Sequence, residues 1–210
     1  MNRISFLIDG FNLYHSIVEA SAVTKASSMK WLDFRRLCTS YLHLFGRGAT
    51  LEEIHYFTAL AHHRSQDKVD RHRKLIACLE DTGVLVELGR FKPKDIHCSG
   101  CNRSTRHYEE KETDVAISVR VIELLLLDRC DTVVLMTGDT DIAPAVRTAR
   151  RLFPNKRICF AFPFGRKNKE LAKLATDHCF SMSAQSYASN QFPDPVVLKD
   201  GSVIRKPASW

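Results

Sequence analysis

The chain has 210 residues, 44% hydrophobic and 26% charged, which fits one large globular domain with an appendage and excludes wholesale disorder. Lys and Arg number 31 against 24 acids, for a formal net charge of +7. That mild excess says little about partners until it is located along the chain.

The first strand is expected over Ile4–Ile8, followed by a helix over Asn12–Ala20. No apolar run reaches the ~20 residues that span a bilayer. The run before Asp9 is too short for a signal peptide. A cytoplasmic location with no membrane partner is the expectation. Seven cysteines agree with it: the count is odd, and five sit singly in apolar stretches.

Trp31, Phe34, Leu37, Cys38, Tyr41, Leu42 and Phe45 recur at helical spacing and predict one amphipathic helix. Ile54–Leu60 is β-rich. Val69 to Leu79 is a helix stopped by Gly83, and Val84–Leu88 a strand. Residues 91–109 break the rhythm with Pro93, Gly100 and many charges, and are expected to form an insertion or extended loop. Thr113–Leu127 is a helix apolar around most of its circumference, hence expected to be deeply buried. Thr132–Met136 is apolar throughout, as in a central parallel strand. Asp141–Leu152 is a helix with Pro144 in its first turn. Arg157–Phe162 is a strand, Lys167–Ala175 a helix and Cys179–Met182 a last short strand.

Alternating strands and helices predict an α/β fold: a Rossmann-like, mainly parallel sheet with helices on both faces. The domain spans 1–182, and 183–210 is a C-terminal extension. Val196–Ile204 reads as a hairpin around Asp200-Gly201. It should pack on the domain or on a second subunit, since an isolated hairpin is marginal in water.

Ligands of open α/β sheets bind beyond the carboxyl ends of the strands. Asp9 follows the first strand, and Asp139 and Asp141 follow the strand ending near Met136. Asp114 lies in the first turn of the helix leading into that strand. In a simple antiparallel helix–strand pair that turn is expected at the opposite end, so spacing alone requires an oblique crossing. Carboxylates that converge without Lys or Arg repel one another and raise each other's pKa. Mg²⁺ or Mn²⁺ resolves the conflict, activates water and stabilises phosphoryl charge. Each Asp alone also makes a good helix cap. Gly10 and Gly138 beside the acids are unexplained by capping.

Phe6-Leu7-Ile8-Asp9-Gly10-Phe11-Asn12-Leu13-Tyr14, Glu110-Lys111-Glu112-Thr113-Asp114-Val115, Thr137-Gly138-Asp139-Thr140-Asp141 and the stretch Phe153 to Pro163 resemble the NYN family of PIN-like, LabA-type domains. The resemblance spans roughly residues 3 to 182. It implies a PIN-like fold and a metal-dependent ribonuclease cutting RNA, expected to be single-stranded, at an acidic Mg²⁺ or Mn²⁺ site. Carried over, Asp9, Asp114, Asp139 and Asp141 are metal ligands, and Asn12 positions a metal-bound water or a substrate phosphate. It is the resemblance that places Asp114 in the site. The family often has Gly where this chain has Glu112.

Between Arg147 and Lys173, nine basic residues face Glu170 alone, a net of +8. Arg147, Arg150 and Arg151 share a helix face. Arg166, Lys167 and Lys169 follow a strand, on the edge that holds the acids. This segment is read as a nucleic-acid flank, with Phe164 stacking on a base; the alternative is a solvated face with Phe164 packed inward. Cys98-Ser99-Gly100-Cys101 has the spacing of half a zinc knuckle, with His97 and His107 the nearest further ligands. Zn²⁺, free thiols and a redox pair all stay open there. His62-His63 reads as a polar loop and His72 as a packed core residue. Two other functions compete with the ribonuclease: a non-catalytic RNA-binding or scaffolding module, and a haloacid-dehalogenase-like phosphatase. The phosphatase chemistry calls for an Asp where Phe11 stands.

Overall fold

A strand buried on both faces begins the chain. In β1 (Asn2–Asp9), Ile4, Phe6 and Ile8 enter one apolar cluster and Leu7 enters another, because alternate side chains point to opposite faces. The computed structural model describes residues 2–25, 28–98, 100–176 and 179–210, Cys98 by its backbone only.

After α1 (Gly10–Thr24), α2 (Phe34–Ser40) and a 3₁₀ turn over Leu42–Phe45 replace the single helix expected from Trp31 to Phe45. Asp33 caps α2 by accepting the Arg36 amide at 3.0 Å. Trp31, upstream of that cap, is fully buried against Phe192 and Trp210. Its apolar character belongs to packing on the C-terminal extension, not to a helix face.

Then come β2 (Ala49–Thr58), α3 (Gln66–Asp81) and β3 (Leu85–Leu88). Residues 91–109 are not a loop. They form most of an antiparallel ribbon of β4 (Arg90–Cys98) and β5 (Arg103–Lys111), in register from Arg90 opposite Lys111 to Cys98 opposite Arg103. Lys94–Glu109 and Arg106–Asp95 pair across it. Charged and polar side chains outnumber Phe91, Ile96 and Tyr108 along it, so no apolar alternation announces the strands. Pro93 is tolerated because a two-stranded ribbon leaves one backbone edge of each strand unpaired.

Next are α4 (Thr113–Leu126), β6 (Thr132–Met136), a 3₁₀ turn over Thr140–Ile142, α5 (Ala143–Leu152), β7 (Arg157–Phe162), α6 (Lys169–Leu174), β8 (Phe180–Ser181) and α7 (Ala184–Ser189). The main sheet is parallel, in the order β3-β2-β1-β6-β7-β8. Helices α1, α2, α3 and α7 cover one face, and α4, α5 and α6 the other. Strand order reverses between β1 and β6, the place where such sheets bind ligands.

The helix α4 is not deeply buried all round. Val115, Val119, Leu126 and Leu127 are each more than half exposed. They wall a groove of about 1130 Å³ between α4 and α5. The hairpin of β9 (Val196–Val197) and β10 (Val203–Ile204) forms as expected around Asp200-Gly201 and packs on the domain. Among the described residues no helix is long and apolar enough to cross a membrane.

Candidate metal centre at the switch point

The extended backbone of β1 ends at Asp9, which is 6% exposed. Its Oδ1 accepts the Asn12 amide at 3.0 Å and so caps α1. Its Oδ2 accepts the Thr137 hydroxyl at 2.7 Å. Thr137 Oγ1 accepts the Asp139 amide at 3.0 Å, and Asp139 Oδ1 accepts the Asp141 amide at 3.0 Å. Capping does not use up these carboxylates. Each capped carboxylate oxygen keeps a second acceptor position.

Two glycines let the backbones meet here. A Cβ on Gly138 would collide with the Arg166 carbonyl oxygen, and one on Gly10 would lie 2.5 Å from that of Phe57. Asn12 Oδ1 accepts the Gly138 amide at 3.1 Å. It thus ties α1 to the loop after β6. Asn168 Nδ2 donates to the Gly138 carbonyl at 3.3 Å from the other side.

Asp114 joins this edge without an oblique crossing. The C-terminal end of α4 leads to Asp128 and Asp131, both bonded to Arg3 at the start of β1. A helix antiparallel to β6 therefore begins beside the strands' carboxyl ends; the opposite placement expected from spacing is corrected. Burial pushes the Asp114 carboxyl up, and Asp9, Asp139 and Asp141 push it further. Burial also raises Asp9; its hydrogen bonds to Asn12 and Thr137 oppose the rise, and the charges of Asp139 and Glu110 add to it.

Glu110, at the end of β5, is a fifth acid of the cluster that strand-end reasoning missed. Burial raises its pKa first; the Thr113 hydroxyl lowers it, and Asp114 and Glu112 raise it. The signal available was its place four residues before Asp114. Glu112 points elsewhere, paired with Arg90. Its φ of 84° is left-handed backbone, which explains why Gly suits this position.

Among the described residues no Lys or Arg is hydrogen-bonded to Asp9, Asp114, Asp139 or Asp141. Nor do three His, Cys, Asp or Glu side chains already close into a metal-ligand cluster. An all-oxygen set of mutually repelling acids fits a hard divalent cation, which would draw the carboxylates together.

The basic segment divides. Lys156 bonds Asp128, Asp131 and the Cys130 carbonyl, at the far end of the sheet from the acids. Arg150 and Arg151 lie in the last turn of α5, which runs away from the acids. Arg147 lines the groove that Asp114 and Asp141 border. The loop carrying Arg166 and Lys167 packs on Gly138, and Lys169 opens α6 just beyond it. Arg166 pairs with Glu19 at 3.2 Å. Phe164 is partly buried and packs against the core, with its amide bonded to the Tyr187 hydroxyl at 2.9 Å.

Cys101 is an exposed free thiol. The Cys98 side chain and Ser99 lie outside the described residues, and the zinc expectation with them. His107 bonds Thr105 and stands four positions along β5 from Arg103, a strand length of about 13 Å. His72 is packed as expected against Tyr56, and burial lowers its pKa to about 4.

The NYN domain family model matches residues 3–183. The chain belongs to the NYN domain family. NYN domains are nuclease-like, and this one carries its acids at the sheet's switch point. It is 25% identical over 243 aligned positions to 6-hydroxy-3-succinoylpyridine 3-monooxygenase HspA of Pseudomonas putida, covering 99% of this chain and 75% of that protein. Its fold is similar to that of a protein of unknown function from Vibrio parahaemolyticus, with a TM-score of 0.58 and 20% identity over 87% of this chain and 93% of the other.

Proposed function

We propose that this NYN protein is a metal-dependent endoribonuclease that hydrolyses phosphodiester bonds of single-stranded RNA. The reading is carried by four carboxylates, Asp9, Asp114, Asp139 and Asp141, at the carboxyl edge of the sheet, with Asp9, Thr137, Asp139 and Asp141 joined by hydrogen bonds and, among the described residues, no Lys or Arg hydrogen-bonded to the four. These four residues would hold Mg²⁺ or Mn²⁺. A bound ion would supply an activated water and neutralise charge on the phosphoryl group.

The chain's own groups do the rest. Thr137 and the Asn12 amide fix the Asp9 carboxylate. Arg147, Lys167 and Lys169 receive the phosphates of the strand on either side of the acids, a contact that weakens with salt. The groove between α4 and α5 gives the strand a path to Asp114 and Asp141. Cys38, Cys78 and Cys130, buried and in no disulfide, suit a reducing cytoplasm.

End-labelled single-stranded RNA tests the reading, incubated with Mn²⁺ or Mg²⁺ and with or without EDTA. Cleavage is expected only with metal, and it should fall at least ~100-fold in Asp9→Asn and Asp139→Asn, the scale on which single catalytic interactions act. Cleavage that persists in both variants would overturn the site. Salt-sensitive RNA binding with no turnover under any divalent ion would instead support the non-catalytic module.

A further inference from the structure

A chain of rings leads away from the acids. Phe11, two residues past Asp9, meets Phe91 edge-on at 5.5 Å. Phe91 meets His63 edge-on at 4.7 Å, and His63 lies flat on Tyr108 at 4.1 Å with 5° between the planes. Phe91, His63 and Tyr108 border a pocket of about 390 Å³, lined also by Leu60, Leu88 and Arg90. That volume falls within the range of small-molecule sites, and so does the mixture of apolar walls with a few polar groups. Tyr108 is 40% exposed. His63 Nδ1 is buried with no hydrogen-bond partner, a position that costs free energy until a ligand satisfies it. The pocket and the acids share a wall: Gly89, on the pocket's rim, lies against Glu110 and Thr113.

We propose that this pocket is a base-binding subsite, taking the flat heteroaromatic base of a nucleotide that flanks the scissile phosphate. The base stacks on the ring chain, and its polar edge bonds His63 Nδ1 and the Arg90 guanidinium. Whether Nδ1 donates or accepts follows from the tautomer. The proposal rests on the nuclease reading for its polymer, but the pocket can be tested without turnover.

Saturation-transfer NMR on the full chain, with AMP as probe and ribose 5-phosphate as the base-free control, measures the subsite directly. AMP is expected to bind at least tenfold more tightly than ribose 5-phosphate. Tyr108→Ala and His63→Ala should each weaken AMP about 5- to 150-fold, the span of one base–aromatic stack; Tyr108→Phe should retain it. Tyr108 lies on an exposed ribbon, so circular dichroism of its variant should match the parent. Equal binding of the two probes, no AMP binding, or AMP binding unmoved by either alanine would overturn the subsite. Asp9→Asn should bind AMP normally while losing cleavage. AMP binding in a wild-type protein that cuts no RNA would sink the nuclease reading and leave the subsite standing.

Discussion

Thr137 Oγ1 stands between two carboxylate residues, donating to Asp9 and accepting the Asp139 amide. Groups that orient a metal ligand typically matter by 10- to 100-fold. Thr137→Val should therefore weaken Mn²⁺ binding about that much by calorimetry, with the fold intact. Asp9 gives a pH prediction. Its carboxyl is raised in the folded protein, so the native state holds that proton more tightly than the unfolded chain. Stability is lost as pH rises from the ordinary carboxylate range, about 4, through the raised value. In EDTA, Asp9→Asn should match the parent in Tm near pH 4, exceed it increasingly as pH rises through the raised value, and keep a constant lead above it. A parent that gains on the variant as pH rises would contradict the assignment. Asp9, Asp139 and Asp141 were legible because strand ends are. Thr137 and Glu110 were not: a hydroxyl between two acids and a glutamate in a charged strand look ordinary until the fold joins them.

At the scale of elements, Glu112 opens α4 in left-handed backbone, which costs an L-residue about 1–2 kcal/mol. Its pair with Arg90 is half exposed and returns little. Glu112→Gly should raise stability by about 1 kcal/mol, or about 2–4 °C in Tm for a chain of this size; a lower Tm would show that the ion pair dominates. Gly138→Ala should do the reverse, since its Cβ collides with the Arg166 backbone. A Tm drop with lost Mn²⁺ affinity is expected. The strands and helices of the main sheet were readable from periodicity. The ribbon was not, because its strands are held by charge pairs across a register that sequence does not reveal. The exposed face of α4 was misread for a related reason: apolarity marks a surface that wants cover, not one that has it.

Across the whole molecule, the family match ends at residue 183, but the core does not. Tyr187, Phe192 and Val196 are buried, and the Tyr187 hydroxyl pairs with Ser16 at 2.8 Å. The Trp31 indole donates to the Pro193 carbonyl at 3.1 Å. At roughly 1.5–3 kcal/mol per buried side chain, removing 184–210 forfeits about 5 kcal/mol or more, comparable with a domain's entire stability. The truncated chain should lose its cooperative melting transition; a sharp transition near the parent Tm would refute this. The basic segment shows the same limit of linear reading. Its net of +8 is real, yet Lys156 and the last turn of α5 stand away from the acids. Chain proximity could not tell the two ends of the sheet apart. What joins these scales is the claim that Asp9, Asp114, Asp139 and Asp141 converge on a divalent ion. A crystal soaked in Mn²⁺ tests it most directly through the metal's anomalous signal. A peak bound by at least two of these four carboxylates is expected. No peak there at saturating Mn²⁺, or metal held only elsewhere, would contradict it.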